Sequence, residues 1–217
     1  RRHTRYISVT GVQTCALPIS TNYGVLSDSS AASNSVTPVT PTSFESIATV
    51  TSSGSSATLT FSSIPQTYKH LQIRFIAKSS SASITYGLRL TLNNNTGANY
   101  SRHNLAGDSL GNISAGGDTA ATEFLTLNGF IPPSSAGTTN MFGVGIIDLQ
   151  NYSSTSANKT IRAICGSNIN TSDTKSIIQL NSGGWFNTSA VNRIDLLSGG
   201  ATNWASGTTF ALYGIKG

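Results

Sequence analysis

Charged residues, cysteines and helical patterns are all scarce in this sequence. Asp, Glu, Lys and Arg together make up 10% of the 217 residues, and two residues are cysteine. No run of about 18 or more apolar residues occurs, so no transmembrane helix is predicted. No segment keeps an i, i+3, i+4, i+7 apolar pattern beyond two turns, which argues against helices and against a sheet with crossover helices.

The first 19 residues concentrate arginine in a way that the rest of the chain does not. Arg1, Arg2 and Arg5 precede VTGVQTCALPI (9–19), which matches the translation of a common sequencing adapter codon by codon. We therefore expect residues 1–19 to be an adapter artefact without a native counterpart, and we exclude them from fold reasoning. A secretory signal peptide is disfavoured because polar residues and a proline interrupt the apolar stretch. A basic arm that binds nucleic acid is the other alternative.

Without residues 1–19 the chain is nearly neutral. The formal charge of +5 comes from 13 basic and 8 acidic residues, and removing three arginines and no acid lowers it to +2. The remaining Lys and Arg residues are scattered singly, whereas nucleic-acid-binding proteins cluster them on one face. We interpret each as an isolated, solubilising surface charge and predict no nucleic-acid partner.

Cys165 is the one cysteine left after the first segment is removed. It cannot form an intrachain disulfide, which excludes the small secreted domains that disulfides hold together. In KTIRAIC (159–165) it shares one predicted strand face with Ile161 and Ala163, and these three residues alternate with Arg162 and Ile164. Reactive cysteines lie in exposed, electropositive settings, so this pattern predicts a buried structural thiol.

Residues 20–43 read STNYGVLSDSSAASNSVTPVTPTS and carry no sustained apolar period. A stretch rich in serine, threonine and proline predicts a flexible or extended linker.

From residue 44 onward the pattern is that of β-strands. In YGLRLTLN (86–93), Leu88, Leu90 and Leu92 alternate with polar residues, the period that buries one face of a sheet. Similar runs are separated by clusters of Gly, Asn, Asp and Ser, which are typical of turns. We therefore predict an all-β domain over 44–217, an antiparallel, jelly-roll-like β-sandwich of about ten or eleven strands.

The acidic residues form no recognisable catalytic pair. Enzymes that hydrolyse sugars normally use two carboxylates a defined distance apart. No two acids of this chain fall on the same face of one predicted strand, and most lie at strand ends or in turns, where Asp commonly caps the turn. His70, His103 and one cysteine have no metal-ligand spacing. The sequence thus predicts no catalytic residue, no metal and no cofactor.

One polar cluster is a candidate binding loop. NYSRHNLAGD (99–108) brings together Tyr100, Arg102, His103 and Asp108. The alternative is a strand with one solvated face and a following turn.

Trp185 and Trp204 are candidate ligand-binding residues of another kind. Both follow glycine-rich turns, and a loop-borne indole can stack on a sugar ring. The alternative is that each indole plugs one end of the sandwich core.

Several segments, in this order, are similar to one known group of proteins. They are FESIATVT (44–51), FSSIPQTYKHLQIRFIAKS (61–79), LRLTLNNNTGANYSRHNLAGD (88–108), IIDLQNY (146–152) and FALYGIKG (210–217). Together they resemble small virion-associated proteins of tailed bacteriophages known from environmental sequence collections. The resemblance extends from about residue 44 to residue 217.

The resemblance implies a structural β-sandwich displayed on a tail fibre or on the capsid of the extracellular particle. Its partners would be other virion proteins, and its displayed loops would bind a host-surface glycan. It carries over no catalytic residue. We expect a homo-oligomer, and a trimer is our guess for a fibre. Two alternatives stay open: a carbohydrate-binding or adhesion module of a secreted bacterial protein, and a polysaccharide-degrading enzyme.

Overall fold

The computed structural model describes residues 43–81, 87–125, 140–168 and 176–217. Residues 1–42 lie outside this part, and with them the predicted adapter segment and all of the predicted linker except Ser43. In the described ranges the chain forms twelve strands and one short 3₁₀ turn, Gly199–Ala201. The strands are β1 (Phe44–Thr51), β2 (Thr58–Phe61), β3 (His70–Ala77), β4 (Leu88–Leu92), β5 (Tyr100–Asp108), β6 (Ile113–Ala121), β7 (Phe124–Leu125), β8 (Gly143–Gln150), β9 (Lys159–Ser167), β10 (Ile177–Trp185), β11 (Ile194–Ser198) and β12 (Thr209–Ile215).

The strands form two sheets. The first contains eight strands in the order β1-β12-β3-β8-β9-β10-β5-β6, and the second contains four in the order β2-β11-β4-β7. The strand pairs in both sheets are antiparallel. The prediction of an all-β, antiparallel domain is confirmed, and two sheets are consistent with a sandwich. The jelly-roll connectivity stays a prediction.

One hydrophobic core contains side chains from both sheets. Side chains of a strand point alternately to its two faces, so every second residue can enter such a core. The strands predicted from this period follow it, with Leu71, Ile73 and Phe75 of β3 and Leu88, Leu90 and Leu92 of β4 all buried. The alternation of apolar and polar residues was therefore a reliable guide to the inner face.

The hairpin of β5 and β6 corrects one interpretation of the sequence. The stretch GDSLGNISAGGD (107–118) has the Gly, Asn, Asp and Ser composition that predicts a turn, yet its second half belongs to β6. The stretch is rich in Gly and Ala, which are depleted in strands, and it has no alternation of apolar and polar residues. No pattern therefore predicted this strand, which is held in place by its hydrogen-bond ladder with β5. The true turn is a three-residue loop, in which the Asp108 N–H donates to the Asn112 carbonyl. Gly111 supplies the left-handed φ of 84° that this loop type uses.

Gly183 of β10 lies at a close approach between strands. A Cβ atom there would clash with the Ser101 carbonyl oxygen and would lie 2.9 Å from Cε2 of Phe124 and 3.0 Å from Cα of Arg102. The absence of a side chain at this position thus lets β5 and the buried Phe124 ring pack against β10.

Replacing Gly183 with alanine should lower the free energy of unfolding by about 1–3 kcal/mol, because the added methyl group forces backbone shifts. Gly107→Ala is the matched control, since the nearest atom to a Cβ there is the Asn112 carbonyl oxygen at 4.0 Å. Urea unfolding of both variants measures the difference. Equal stability of the two variants would contradict the close packing at Gly183.

Candidate functional site

Trp204 is part of the core. Its side chain is 0% exposed, and its Nε1–H donates to the Leu196 carbonyl at 3.0 Å. The indole packs edge-on against Phe210, with ring centroids 5.2 Å apart. The hydrogen bond satisfies the polar atom that an aromatic side chain of this kind brings into an apolar interior.

Trp185 is also buried, at the end of β10. It is 1% exposed and stacks on the Tyr100 ring with centroids 6.2 Å apart. The Tyr100 hydroxyl accepts a hydrogen bond from the Leu92 N–H and donates one to the Asn95 carbonyl. Burial raises the pKa of Tyr100 to about 12, so this residue is a neutral core side chain.

The burial of both indoles leaves no indole face on which a sugar ring could stack in this conformation. The arrangement is the one that the core-plug alternative describes. The sequence signal, a tryptophan after a glycine-rich turn, is common to exposed and buried indoles. Only the packing of the two sheets distinguishes them.

Arg102, His103 and Asp108 of β5 do not converge. Arg102 is buried and pairs with Asp118 of β6, with Nε and Oδ2 2.9 Å apart, whereas the neighbouring His103 is exposed because it points to the opposite face. Asp108 closes the hairpin turn by accepting hydrogen bonds from Leu110 and Asn112. These bonds, above all the one from the Asn112 side chain, hold the pKa of Asp108 below its usual value.

Two buried acids, Asp148 and Asp195, also have structural partners. Asp148 accepts hydrogen bonds from Gln72 and from Arg162, at 2.9 Å and 2.6 Å. Asp195, which is 3% exposed, accepts hydrogen bonds from Arg193 and from the Thr60 hydroxyl. Each carboxylate thus fixes neighbouring strands or turns.

Lys159 departs from the expectation that every basic residue is a surface charge. It is 1% exposed, and its Nζ donates to the carbonyls of Ser154, Ala157 and Thr188 at 2.8, 2.7 and 3.1 Å. Burial lowers its pKa. Three acceptors provide the hydrogen bonds that a buried ammonium group requires, and they connect two loops to the start of β9.

The outer face of the eight-stranded sheet carries a surface that sequence reasoning missed. Here the outer face is the side turned away from the core. Two cross-strand rows of residues run over it from β3 through β8, β9, β10 and β5 to β6. One row is Ile76-Val144-Gly166-Ile178-Gly107-Ile113, and the next is Arg74-Ile146-Ile164-Leu180-Leu105-Ala115. We call their eight Ile, Val and Leu side chains the aliphatic patch.

The aliphatic patch crosses the eight-stranded sheet from β3 to the edge strand β6. Its side chains span six strands, or roughly 24 Å at the usual strand spacing. Their exposed fractions reach 79% at Ile113. Two adjoining hollows of about 1520 and 300 Å³ lie along it, and they share Ile164 and Ile178 as lining residues. Contiguous exposed apolar surfaces of this kind mark interaction sites.

The next row along the same strands is polar. It consists of Gln72, Asp148, Arg162, Ser182, His103 and Gly117. The outer face is therefore divided into an apolar half and a polar half. The sequence did contain a signal for the apolar half, namely adjacent apolar residues such as Ile146-Ile147 and Ile177-Ile178. The two side chains of such a pair point to opposite faces, and a strand that is apolar on both faces is typically covered on both.

In the described ranges no group of three or more His, Cys, Asp and Glu residues could hold a metal ion. In the same part of the chain no helix is long and apolar enough to cross a membrane.

Comparison of the chain with protein-family models, with curated proteins and with solved structures found no match. The site is therefore interpreted from its own residues. Among the described residues, the aliphatic patch is an extended exposed apolar surface, of the kind that marks interaction sites.

Replacing Trp204 with alanine should lower the free energy of unfolding by about 3–5 kcal/mol, because a large buried side chain and its hydrogen bond are lost. Phe186→Ala is the control, since Phe186 is 58% exposed; we expect it to change stability by less than about 0.5 kcal/mol. Chemical denaturation measures both. A Trp204→Ala protein as stable as the parent would overturn the core assignment.

Cys165 should resist alkylation in the native protein. Burial raises the pKa of its thiol to about 12, so both access and the thiolate fraction are low. After treatment with iodoacetamide at about pH 8, the peptide that contains Cys165 should be unmodified in native protein and modified in denaturant. Mass spectrometry of the peptides measures this, and rapid native labelling would show an accessible thiol.

Proposed function

We propose that the chain is a non-enzymatic structural protein of a bacteriophage virion, displayed on a tail fibre or on the capsid. Its location is then the extracellular particle, and its partners are other virion proteins and further copies of itself. The order of the segments that resemble tailed-phage proteins, from residue 44 to residue 217, is the first support. The sheet order is the second.

The observation that carries the proposal is how the strands alternate between the sheets. If the hairpins β5–β6 and β9–β10 are set aside, successive strands switch sheets at every step except from β4 to β7, which pair with each other. This leaves the strands β1-β12-β3-β8 in one sheet and β2-β11-β4-β7 in the other. This order is the one expected for an eight-stranded jelly roll that carries two inserted hairpins. Jelly rolls recur in viral capsid and lectin domains, so the order favours a virion role by analogy of fold.

The aliphatic patch supports assembly rather than isolated function. A surface of exposed Ile, Val and Leu side chains is costly for a free particle in water and useful at a protein contact. Inserted hairpins contribute most of this surface, since β5, β6, β9 and β10 provide five of the eight side chains. The two inserted hairpins thus add contact surface to the other eight strands.

Host-glycan recognition stays a prediction. Because Trp185 and Trp204 are buried, a glycan would have to bind to residues other than these two. The adhesion-module alternative also fits a jelly roll, because lectins share that fold. The enzyme alternative has less support, since Asp108, Asp148 and Asp195 each have a structural partner.

The test is the protein content of purified phage particles that carry this gene. Peptides from residues 44–217 should band with capsid and tail proteins in a density gradient at a constant ratio, and immunogold labelling of intact particles should locate the domain on the fibre or the capsid. A non-structural phage enzyme serves as the control that must be absent from the band. Peptides confined to the soluble or secreted fraction would reject the virion role.

A further inference from the structure

The strand β6 lies at one edge of the eight-stranded sheet and is exposed on both faces. Eight of its nine residues, all except Ala121, are exposed. Its neighbour in the sheet is β5, and the second sheet has four strands against eight. Within the described ranges β6 thus has one neighbour and two open faces, and a strand of this kind presents a template for pairing with another strand.

The outward edge of β6 carries backbone groups that make no hydrogen bond to any described residue. The Asp108 N–H donates to the Asn112 carbonyl, and hydrogen-bonded and non-bonded pairs alternate along an antiparallel ladder. Even-numbered residues of the regular part of β6 therefore bond to β5. The N–H and C=O groups of Ile113, Ala115 and Gly117 point away from it and have no partner among the described residues.

Neither lysine nor proline protects this edge. Residues Ile113 to Asp118 contain no bulge and pair continuously with β5, except that a register shift near Tyr100 follows at the far end. There Ala120 adopts a left-handed φ of 54° and ends the regular part. The opposite edge strand of the same sheet, β1, is interrupted by a bulge between Ser46 and Ala48, a usual device against edge pairing.

We infer that two copies of this chain associate by antiparallel pairing of their β6 strands about a two-fold axis near Ala115–Gly117. An antiparallel pair of identical strands is self-complementary, because each strand presents the same outward N–H and C=O groups to the other. Such a contact is isologous and gives a closed dimer. The pairing joins the two eight-stranded sheets through their unprotected edges.

The charge distribution favours a second copy as the occupant. Asp118 is the one ionisable side chain of β6, and it is paired with Arg102 in its own chain. With the axis at Ala115, at residue 116 or at Gly117, Asp118 lies opposite residue 112, 114 or 116 of the partner, none of which is charged. Like charges therefore do not oppose each other, and the small residues Gly116 and Gly117 let the two backbones approach.

The aliphatic patch places apolar surface beside this contact. Its two rows end on β6 at Ile113 and Ala115, so the pairing edge and the patch are continuous. Edge-to-edge pairing places the two sheets side by side, so the patches of the two copies adjoin on one face of the joined sheet.

The pairing does not depend on the location of the protein, so failure of the virion role leaves it untouched. A two-fold contact predicts a dimer, whereas the trimer guessed from the resemblance would require β6 to meet a different surface of the next copy, such as β1. The oligomer mass therefore separates these two arrangements.

The test is light scattering of the full chain under reducing conditions over a wide range of concentrations. The parent protein should have the mass of a dimer. Ala115→Lys places a charge at the axis, and Ala115→Pro removes one outward N–H while leaving the ladder with β5 intact. Both variants should be monomers at concentrations at which the parent is a dimer. Thr49→Lys, an exposed position on the other edge strand, is the matched control and should stay dimeric.

Circular dichroism must show that each variant is folded, and hydrogen exchange provides a second readout that does not depend on substitution. In the dimer the amides of Ile113, Ala115 and Gly117 should be protected, and dilution to monomer should remove that protection. A monomeric parent, a trimer, a dimer that survives both Ala115 variants, or dissociation caused by Thr49→Lys would each overturn the proposal.

Discussion

The burial of an eight-stranded sheet against a four-stranded one is the constraint on which the other features depend. The inner faces of the two sheets share one core, and its apolar side chains provide most of the driving force for folding. No equivalent cover lies over the outer face among the described residues. The aliphatic patch, in which seven of the eight side chains are exposed, and the open edge at β6 follow from this inequality between the sheets.

The same burial decides which predicted ligand residues are available. Trp185, Trp204 and Tyr100 enter the core, where ring stacking and hydrogen bonds hold them, and they no longer offer a binding surface. Arg102 and Asp108 stabilise the β5–β6 hairpin instead of forming a pocket. The polar cluster that looked like a binding loop is thus the scaffold that orders β6.

The virion proposal and the β6 pairing answer different questions. The strand order and the resemblance bear on the class of protein, whereas the backbone edge of β6 bears on its immediate partner. Both interpret the inserted hairpins as contact elements added to an otherwise self-sufficient pair of sheets. Interfaces formed along a strand edge gain specificity from the pairing register, because a shift of one residue moves every side chain of the strand to the opposite face of the sheet.

The period-two pattern by itself determined the fold class and the inner faces of strands such as β3 and β4, because alternation depends on local backbone geometry. It also indicated that Cys165 is buried. Tertiary structure alone decided that β6 is a strand, that Lys159 is buried among three carbonyls and that both tryptophans are core residues. These outcomes depend on which segments meet across the sheets, and a periodicity along one strand carries no information about its neighbours.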